Sequence, residues 1–146
     1  MGVRKRLRDD RGQMTVELAV VFPVVMVVAL VAVNALAFFS ACAEFDRVGR
    51  NAVRIHAASP AYEQGIDQSI ALVQADLDAS LDAVNVECSV SASRNHLGHA
   101  TFELTLRYWP TLFGLGLRSE VFGVPLPSLV HIERMTVDVY KPGMLL

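Results

Sequence analysis

One uncharged stretch dominates the sequence. Residues 18–43 read LAVVFPVVMVVALVAVNALAFFSACA, which is 26 consecutive positions without an acidic or basic side chain. A helix rises about 1.5 Å per residue, so this stretch would extend about 39 Å, whereas the hydrocarbon core of a bilayer is about 30 Å thick. The sequence therefore predicts a transmembrane helix at residues 13–43. We expect Asn34, the one amide side chain of the uncharged stretch, to hydrogen-bond to another helix.

Charged residues flank this stretch unequally. Five basic side chains precede it: Arg4, Lys5, Arg6, Arg8 and Arg11. The other flank opens with Glu44 and Asp46. Lys and Arg next to a span are retained in the cytoplasm. We therefore expect a cytoplasmic basic leader at residues 1–12, a single pass through the cell (inner) membrane, and an exported domain at residues 44–146.

The composition narrows the classes of function. The chain has 13 Lys+Arg against 15 Asp+Glu, a net charge of −2, whereas a nucleic-acid-binding protein would need a basic surplus. Two cysteines are too few for a disulfide-dense scaffold or a four-cysteine zinc site. The sequence contains no Gly-x-Ser-x-Gly, phosphate-loop or His-Glu-x-x-His motif. We predict a protein that is not an enzyme and has no cofactor, metal, nucleic-acid partner or small-molecule substrate.

Three export signals compete for the N-terminal region. Ala41-Cys42-Ala43 has the form of a signal-peptidase site, and Phe39-Ser40-Ala41-Cys42 resembles a lipoprotein signal. Both signals use an apolar segment of about 7–15 residues, much shorter than the one in this chain. A third signal, processed before the apolar stretch, fits its length better.

Residues 11–23 read RGQMTVELAVVFP and carry that third signal. Gly12 ends the basic leader, and Glu17 follows five residues later where the apolar helix starts. This pattern resembles the site cut by prepilin peptidases, and in full it is similar to the TadE-like proteins of tight-adherence pilus systems. The major Flp pilins are much shorter and have Glu-Tyr where this chain has Glu17-Leu18. The resemblance therefore implies a pseudopilin or minor pilin.

The resemblance also implies roles for three residues. Prepilin peptidase would cut between Gly12 and Gln13, and the missing side chain of Gly12 would let a protease approach the backbone closely. Glu17 would then pair with the new N-terminal amine of its own or a neighbouring subunit and set the axial register. Residue chemistry alone leaves a second interpretation open, in which Glu17 only favours the positive end of the helix dipole. The implied partners are the membrane, prepilin peptidase, other pilus subunits and tight-adherence assembly proteins.

The sequence of the exported part predicts two helical segments. Residues 44–58 continue the first helix in amphipathic form, and Gly49 is expected to weaken or bend it. Its predicted apolar face comprises Phe45, Val48, Ala52 and Ile55. A second helix is predicted at about residues 60–83. Its apolar stripe comprises Ile66, Ile70, Val73, Leu77 and Leu81.

A small antiparallel sheet of about three strands is predicted to follow. Residues 84–92 and 100–108 alternate between apolar and polar side chains and predict a β-hairpin with one buried face. A third strand at about residues 130–140 shifts its alternation, which we attribute to a bulge near Glu133-Arg134. The predicted fold class is α+β and pilin-like, with a long N-terminal transmembrane helix.

Two features of the exported part stay open. The apolar loop at residues 110–128 would either pack on the sheet or bind a partner. Cys42 and Cys88 would either form a disulfide or remain free thiols. The alternative function is a membrane-anchored extracytoplasmic binding module or lipoprotein, unrelated to pili, whose activity would reside in that loop.

Overall fold

The structure, a computed structural model, describes residues 10–57, 65–94, 99–111, 120–121, 124–125 and 127–138, and only the backbone of residues 10–13, 120–121 and 124–125. It confirms the α+β class. Two helices are described: α1 (Asp10–His56) and α2 (Ile66–Ser80). Five strands are described: β1 (Val86–Arg94), β2 (His99–Tyr108), β3 (Glu120–Val121), β4 (Val124–Pro125) and β5 (Leu129–Asp138). Most of the predicted leader lies outside the described residues.

Helix α1 is one continuous element of 47 residues that includes both Pro23 and Gly49. In its second half, Phe45, Ala52 and Val53 are buried against the rest of the domain. The predicted placement of Ile55 on this face is wrong, since its side chain is 54% exposed. Val53 takes the inward position because the buried face of the helix follows Phe45, Gly49 and Ala52 around its axis.

Helix α2 confirms the predicted apolar stripe within shorter bounds. Val73 and Leu77 are fully buried, while Ile66, Ile70 and Leu81 pack against the core from its margin. The predicted end near residue 83 is wrong, because the backbone leaves the helical conformation at Leu81. The predicted start near residue 60 lies outside the described residues.

The main sheet is antiparallel with strand order β1-β2-β5. The predicted hairpin is confirmed, and its register runs from Val86 opposite Tyr108 to Arg94 opposite Ala100. Strand β1 starts two residues later than predicted, and Val84 is 92% exposed before it. The turn at residues 95–98 lies outside the described residues.

Strand β5 corrects the predicted bulge. Its pairing with β2 is one-to-one from Leu129 to Asp138, including Glu133 and Arg134. His131 and Glu133 occupy the face that points toward the helices, and Val130 and Ile132 occupy the opposite face. The apolar pattern misled the prediction because two polar side chains are accommodated on the inner face by partners on α1.

Strands β3 and β4 pair with each other, Glu120 opposite Pro125 and Val121 opposite Val124. They lie within the segment predicted as a loop, so part of that segment is a short β-hairpin. Residues 112–119, 122–123 and 126 lie outside the described residues. Whether the loop packs on the sheet or binds a partner therefore stays open.

The domain has two layers, with the helices covering one face of the sheet. Helix α1 contacts β2 and β5, and α2 contacts α1 and β1. Asn34 of α1 lies next to Tyr108, and Gly49 lies next to Leu104, so α1 and β2 run in opposite directions.

We call the sheet end formed by Val86, Tyr108 and Leu129 the proximal end, because it lies nearest the apolar half of α1. The opposite end is the distal end.

Candidate functional site: the apolar helix and its junction with the domain

The first half of α1 extends away from the domain, and no other part of the described chain covers it. Large apolar side chains are exposed all around it, from Met14 at 74% to Val33 at 48%. Among the described residues, α1 is the one helix long and apolar enough to cross a membrane, and none of its most apolar 18-residue window is buried. The core helix of a soluble domain would be largely covered. This helix is therefore compatible with a single membrane anchor.

The predicted processing residues lie at the start of this helix. The backbone of Gly12 and Gln13 is helical, since α1 begins at Asp10. A helix has no intrahelical acceptors for its first four N–H groups, and glycine weakens a helix by about 1 kcal/mol relative to alanine. The Gly12–Gln13 bond thus lies in the first described turn of α1, where the glycine lowers the cost of the local opening that a protease needs to reach the backbone.

Glu17 lies four residues after Gln13, on the same side of the helix. Its side chain is exposed and adjoins a shallow surface concavity lined by Met14, Thr15, Leu18 and Val21. The structure thus places a carboxylate among apolar side chains near the beginning of the exposed helix. Gly12, Gln13 and Glu17 all lie within two turns, as the sequence pattern requires.

Asn34 joins the helix to the domain. Its Nδ2 atom donates to the carbonyl oxygen of Thr111 at 2.9 Å, and its Oδ1 atom accepts from the Thr111 N–H at 2.8 Å. Nδ2 also lies 3.0 Å from the Leu30 carbonyl oxygen, and the Tyr108 hydroxyl lies 3.5 Å from Oδ1. The expected bond from Asn34 to another helix is replaced by bonds to the α+β domain of the same chain.

On the C-terminal side of Asn34, apolar side chains of α1 also contact the domain. The rings of Phe38 and Tyr108 have centroids 5.7 Å apart, and Ala41 and Cys42 pack against the core. The opposite side of the same helical stretch is open, with Leu36 at 70% and Phe39 at 65% exposure. In residues 34–43, one side of the helix therefore packs against the domain and the other side is exposed.

Gly49 permits a close approach between α1 and the sheet. A Cβ atom at this position would lie 2.8 Å from Leu104 Cδ2, closer than carbon atoms pack. Leu104 is fully buried at the centre of β2. The glycine that the sequence presented as a weak point is thus a packing position, and the helix passes through it without a break.

Polar side chains of α1 contact polar side chains of β5 and of α2. His131 Nε2 and Asp46 Oδ1 are 2.8 Å apart, and Arg50 Nη1 lies 3.4 Å from Glu133 Oε1. On the α2 side, His56 Nε2 lies 3.0 Å from Asp76 Oδ2. These partners come from segments far apart in the sequence, so no local pattern could have revealed them.

Asp46, His131 and Glu133 are also the residues in the described part of the chain that could hold a metal ion. One ligand atom from each lies within 4.8 Å of the others. Asp46 and His131 already bond to each other, and the guanidinium of Arg50 provides a positive charge beside Glu133. The group therefore forms a polar contact between helix and strand in which every member has a partner from the chain itself.

The two cysteines are free thiols at the edge of the core. Burial, aided by the nearby charges of Asp78 and Glu87, raises the pKa of the Cys88 thiol to about 11. A thiol with such a pKa is protonated and unreactive at neutral pH. Of the two alternatives for Cys42 and Cys88, the structure contains the unpaired one.

Comparisons of this chain with models of protein families, with curated proteins and with solved structures give no match. What the structure defines is a class: an α+β domain on a long N-terminal helix whose exposed half is suited to a single membrane span. A more specific function has to be argued from Gly12, Gln13, Glu17 and the junction at Asn34.

Proposed function

We propose that this protein is a TadE-like pseudopilin, or minor pilin, of a tight-adherence (type IV-related) pilus assembly and secretion system. It would be processed by a prepilin peptidase between Gly12 and Gln13. Its N-terminus would be cytoplasmic and its domain extracytoplasmic, anchored in the inner membrane and able to join the pilus at the cell surface. It would have no catalytic activity and no cofactor.

The observation that carries the proposal is the combination of one continuous helix with the position of Glu17. The helix extends from Asp10 to His56, so a cut after Gly12 would leave a new chain that starts directly with the exposed apolar half. Glu17 would then lie one turn from the new ammonium group. A carboxylate near the hydrocarbon edge is costly unless it is paired, and the amine is a suitable partner.

The junction favours this processing route over the two other export signals. Cleavage before Cys42 or after Ala43 would remove Asn34 and Phe38 from the domain. Thr111, which is 4% exposed, would lose both backbone hydrogen bonds to Asn34, and Tyr108 would lose its ring contact. Cleavage after Gly12 keeps all of these contacts. The integrity of the junction therefore supports retention of the apolar helix in the mature protein.

N-terminal sequencing of the protein purified from membranes tests the proposal. Coexpression with a prepilin peptidase should produce a chain beginning at Gln13, and expression without the peptidase should leave the leader attached. A mature chain beginning at Cys42 would instead support the lipoprotein alternative. A chain beginning at Glu44 would indicate an ordinary signal peptide and a protein released from the membrane.

A further inference from the structure

The position of Asn34 sets how far the exposed helix extends before it meets the domain. Between Glu17 and Asn34 the helix has 16 uncharged residues, or about 24 Å, and with the preceding turn from Met14 it has 20 residues, or about 30 Å, the thickness of a hydrocarbon core. Beyond it, the Asn34 amide is bonded to Thr111, so from that point protein covers one side of the helix and lipid can no longer surround it. The uncharged part of α1 before the junction is thus no longer than the hydrocarbon core of one bilayer.

Strand β2 runs antiparallel to α1, so the proximal end of the sheet is at the level where the helix would leave the hydrocarbon. Trp109 directly follows β2 at this end and is half-buried. Its backbone is fixed to the start of β1, since the Trp109 N–H donates to the Asn85 carbonyl at 2.9 Å and Asn85 Nδ2 donates to the Trp109 carbonyl at 3.2 Å.

Exposed apolar side chains also collect at the proximal end. Outside the apolar half of α1, Val84 is the most exposed large apolar side chain in the described part of the chain, at 92%, and it immediately precedes Asn85. Leu129 and Val130 begin β5 and are 39% and 50% exposed. The distal end is polar by contrast, with Arg94, His99 and Asp138 at the strand ends. Among the described residues, the strand ends are therefore apolar at the proximal end and polar at the distal end.

We propose that the exported domain rests directly on the bilayer surface through its proximal end, with Trp109 in the interfacial layer. The membrane span is then Met14–Val33, ten residues shorter at its outer end than the apolar stretch suggests. Tryptophan and tyrosine are enriched at this depth because one part of the ring is apolar and another can hydrogen-bond. Arg107, exposed on the outer face of β2 beside Val130, is placed to reach lipid phosphates.

This arrangement also accounts for Leu36 and Phe39, which are exposed on the side of α1 away from the domain. The Cα atom of Phe39 lies six residues beyond Val33, or about 9 Å along the helix, and its side chain tilts back toward the N-terminus of the helix. The headgroup region adds about 5–8 Å to each side of the hydrocarbon core. Both side chains therefore fall within the interfacial layer and not in bulk water. The inference requires α1 to cross a bilayer but is independent of the pilus function.

Trp109 is the single tryptophan of the chain, so its fluorescence reports on this contact without any substitution. The full chain would be reconstituted in lipid vesicles in which bromine is attached either near the headgroup end of the acyl chains or near the bilayer centre. We expect shallow bromine to quench Trp109 about twofold more strongly than deep bromine, and aqueous iodide to quench it weakly.

A matched variant moves the probe to the distal end. Trp109→Phe combined with Ser93→Trp keeps an aromatic ring at the junction and places the indole on an exposed position of β1. Its fluorescence should be quenched by iodide and not by bromine at either depth. Far-UV circular dichroism would verify that both proteins have the same helix and sheet content.

Each other result for the wild-type chain overturns the inference. Quenching by iodide alone would show that the domain stands away from the membrane. Stronger quenching by deep bromine would place the junction inside the hydrocarbon. Protection from both bromine and iodide would show that protein, such as a second copy of the chain, covers the proximal end.

Discussion

Asn34 and Thr111 exchange two hydrogen bonds across 77 residues of sequence, at 2.9 and 2.8 Å. The carboxamide of Asn34 thus pairs with a backbone N–H and a backbone carbonyl as a neighbouring strand would. Gln74 does the same for β1, bonding the Val90 N–H and the Cys88 carbonyl, each at 3.0 Å. Two amide side chains on the helices therefore satisfy backbone groups of the sheet layer.

Replacing Asn34 with leucine should loosen the junction. The Thr111 N–H and carbonyl would remain buried without Asn34, and an unsatisfied buried group costs about 1–3 kcal/mol. We expect the free energy of unfolding of the domain in detergent micelles to fall by that amount in urea titrations. Asn51→Leu, the same change at an exposed position of α1, should have little effect. Equal stability of the two variants would contradict the role assigned to Asn34.

Gly49 and Leu104 should show energetic coupling. Gly49→Val adds a branched side chain where even a Cβ atom meets Leu104 Cδ2 at 2.8 Å, and overpacking of this kind costs about 1–3 kcal/mol. Leu104→Ala alone should cost about 2–5 kcal/mol because it leaves a cavity. The double variant should lose less stability than the sum of the two, as measured by a double-mutant cycle in urea. Additive losses would show that the two residues do not share the space.

The thiol of Cys88 should react slowly in the folded protein. Its pKa is raised from an ordinary value of 9.0 to about 11, mainly by burial, so the thiolate fraction falls about 100-fold. In a Cys42→Ser background, we expect iodoacetamide to label the folded chain at pH 8 about 100-fold more slowly than the urea-unfolded chain.

The same pKa shift sets a pH dependence of stability. Well below pH 9.0 the thiol is protonated in both the folded and the unfolded state, so its contribution is constant. As the pH rises from 9.0 toward 11, the unfolded chain ionises first and the folded state loses stability. In the labelling experiment, equal rates for the folded and the urea-unfolded chain would contradict the burial of this thiol.

The elements and their inner faces were predictable where a local pattern decides them. The stripe on α2 and the alternation along β1 and β2 follow from burial of one face, and the structure confirms both. The register of β5 was not predictable, because His131 and Glu133 on its inner face are accommodated by Asp46 and Arg50, 85 and 83 residues earlier.

The candidate site likewise combines residues that the sequence could predict with a contact that it could not. Gly12, Gln13 and Glu17 could be selected from the sequence because their spacing along one helix carries the pattern. Asn34 was conspicuous as the single amide in an apolar stretch, yet its partner was not, since Thr111 has no sequence signal of its own. A bond between distant segments depends on how α1 and β2 pack, which the local sequence does not encode.

Gly12→Val should block processing and leave the protein in the membrane. The branched side chain would obstruct approach of the peptidase to the backbone and would not alter the apolar span. We expect the variant to keep its leader, as measured by mass spectrometry of the membrane fraction. Gly65→Val is the matched control, because a Cβ atom at Gly65 meets no neighbour within 4 Å, and it should be processed like the wild type. Normal trimming of the Gly12 variant would show that the cut lies elsewhere.

Glu17→Gln should impair assembly while sparing processing and membrane insertion. Glutamine keeps the shape and hydrogen-bonding capacity of the side chain but removes the charge that would pair with the new ammonium group of Gln13, one helical turn away. Cleavage should persist, because the Gly12–Gln13 bond and the basic leader are unchanged. Loss of the ion pair should instead weaken the contact of this subunit with its neighbours.

The measurement is crosslinking of the subunit to other pilus components, together with counts of surface fibres, in cells that carry Glu17→Gln. Glu44→Gln is the control, since Glu44 lies on the same helix just after the apolar stretch, where its contact with Arg47 is a long surface ion pair of 3.6 Å. We expect crosslinks and fibres to be lost in the Glu17 variant and retained in the Glu44 variant. Wild-type crosslinks and normal fibres with Glu17→Gln would mean that this carboxylate acts only at the helix end, through the dipole, and has no part in setting the register between subunits.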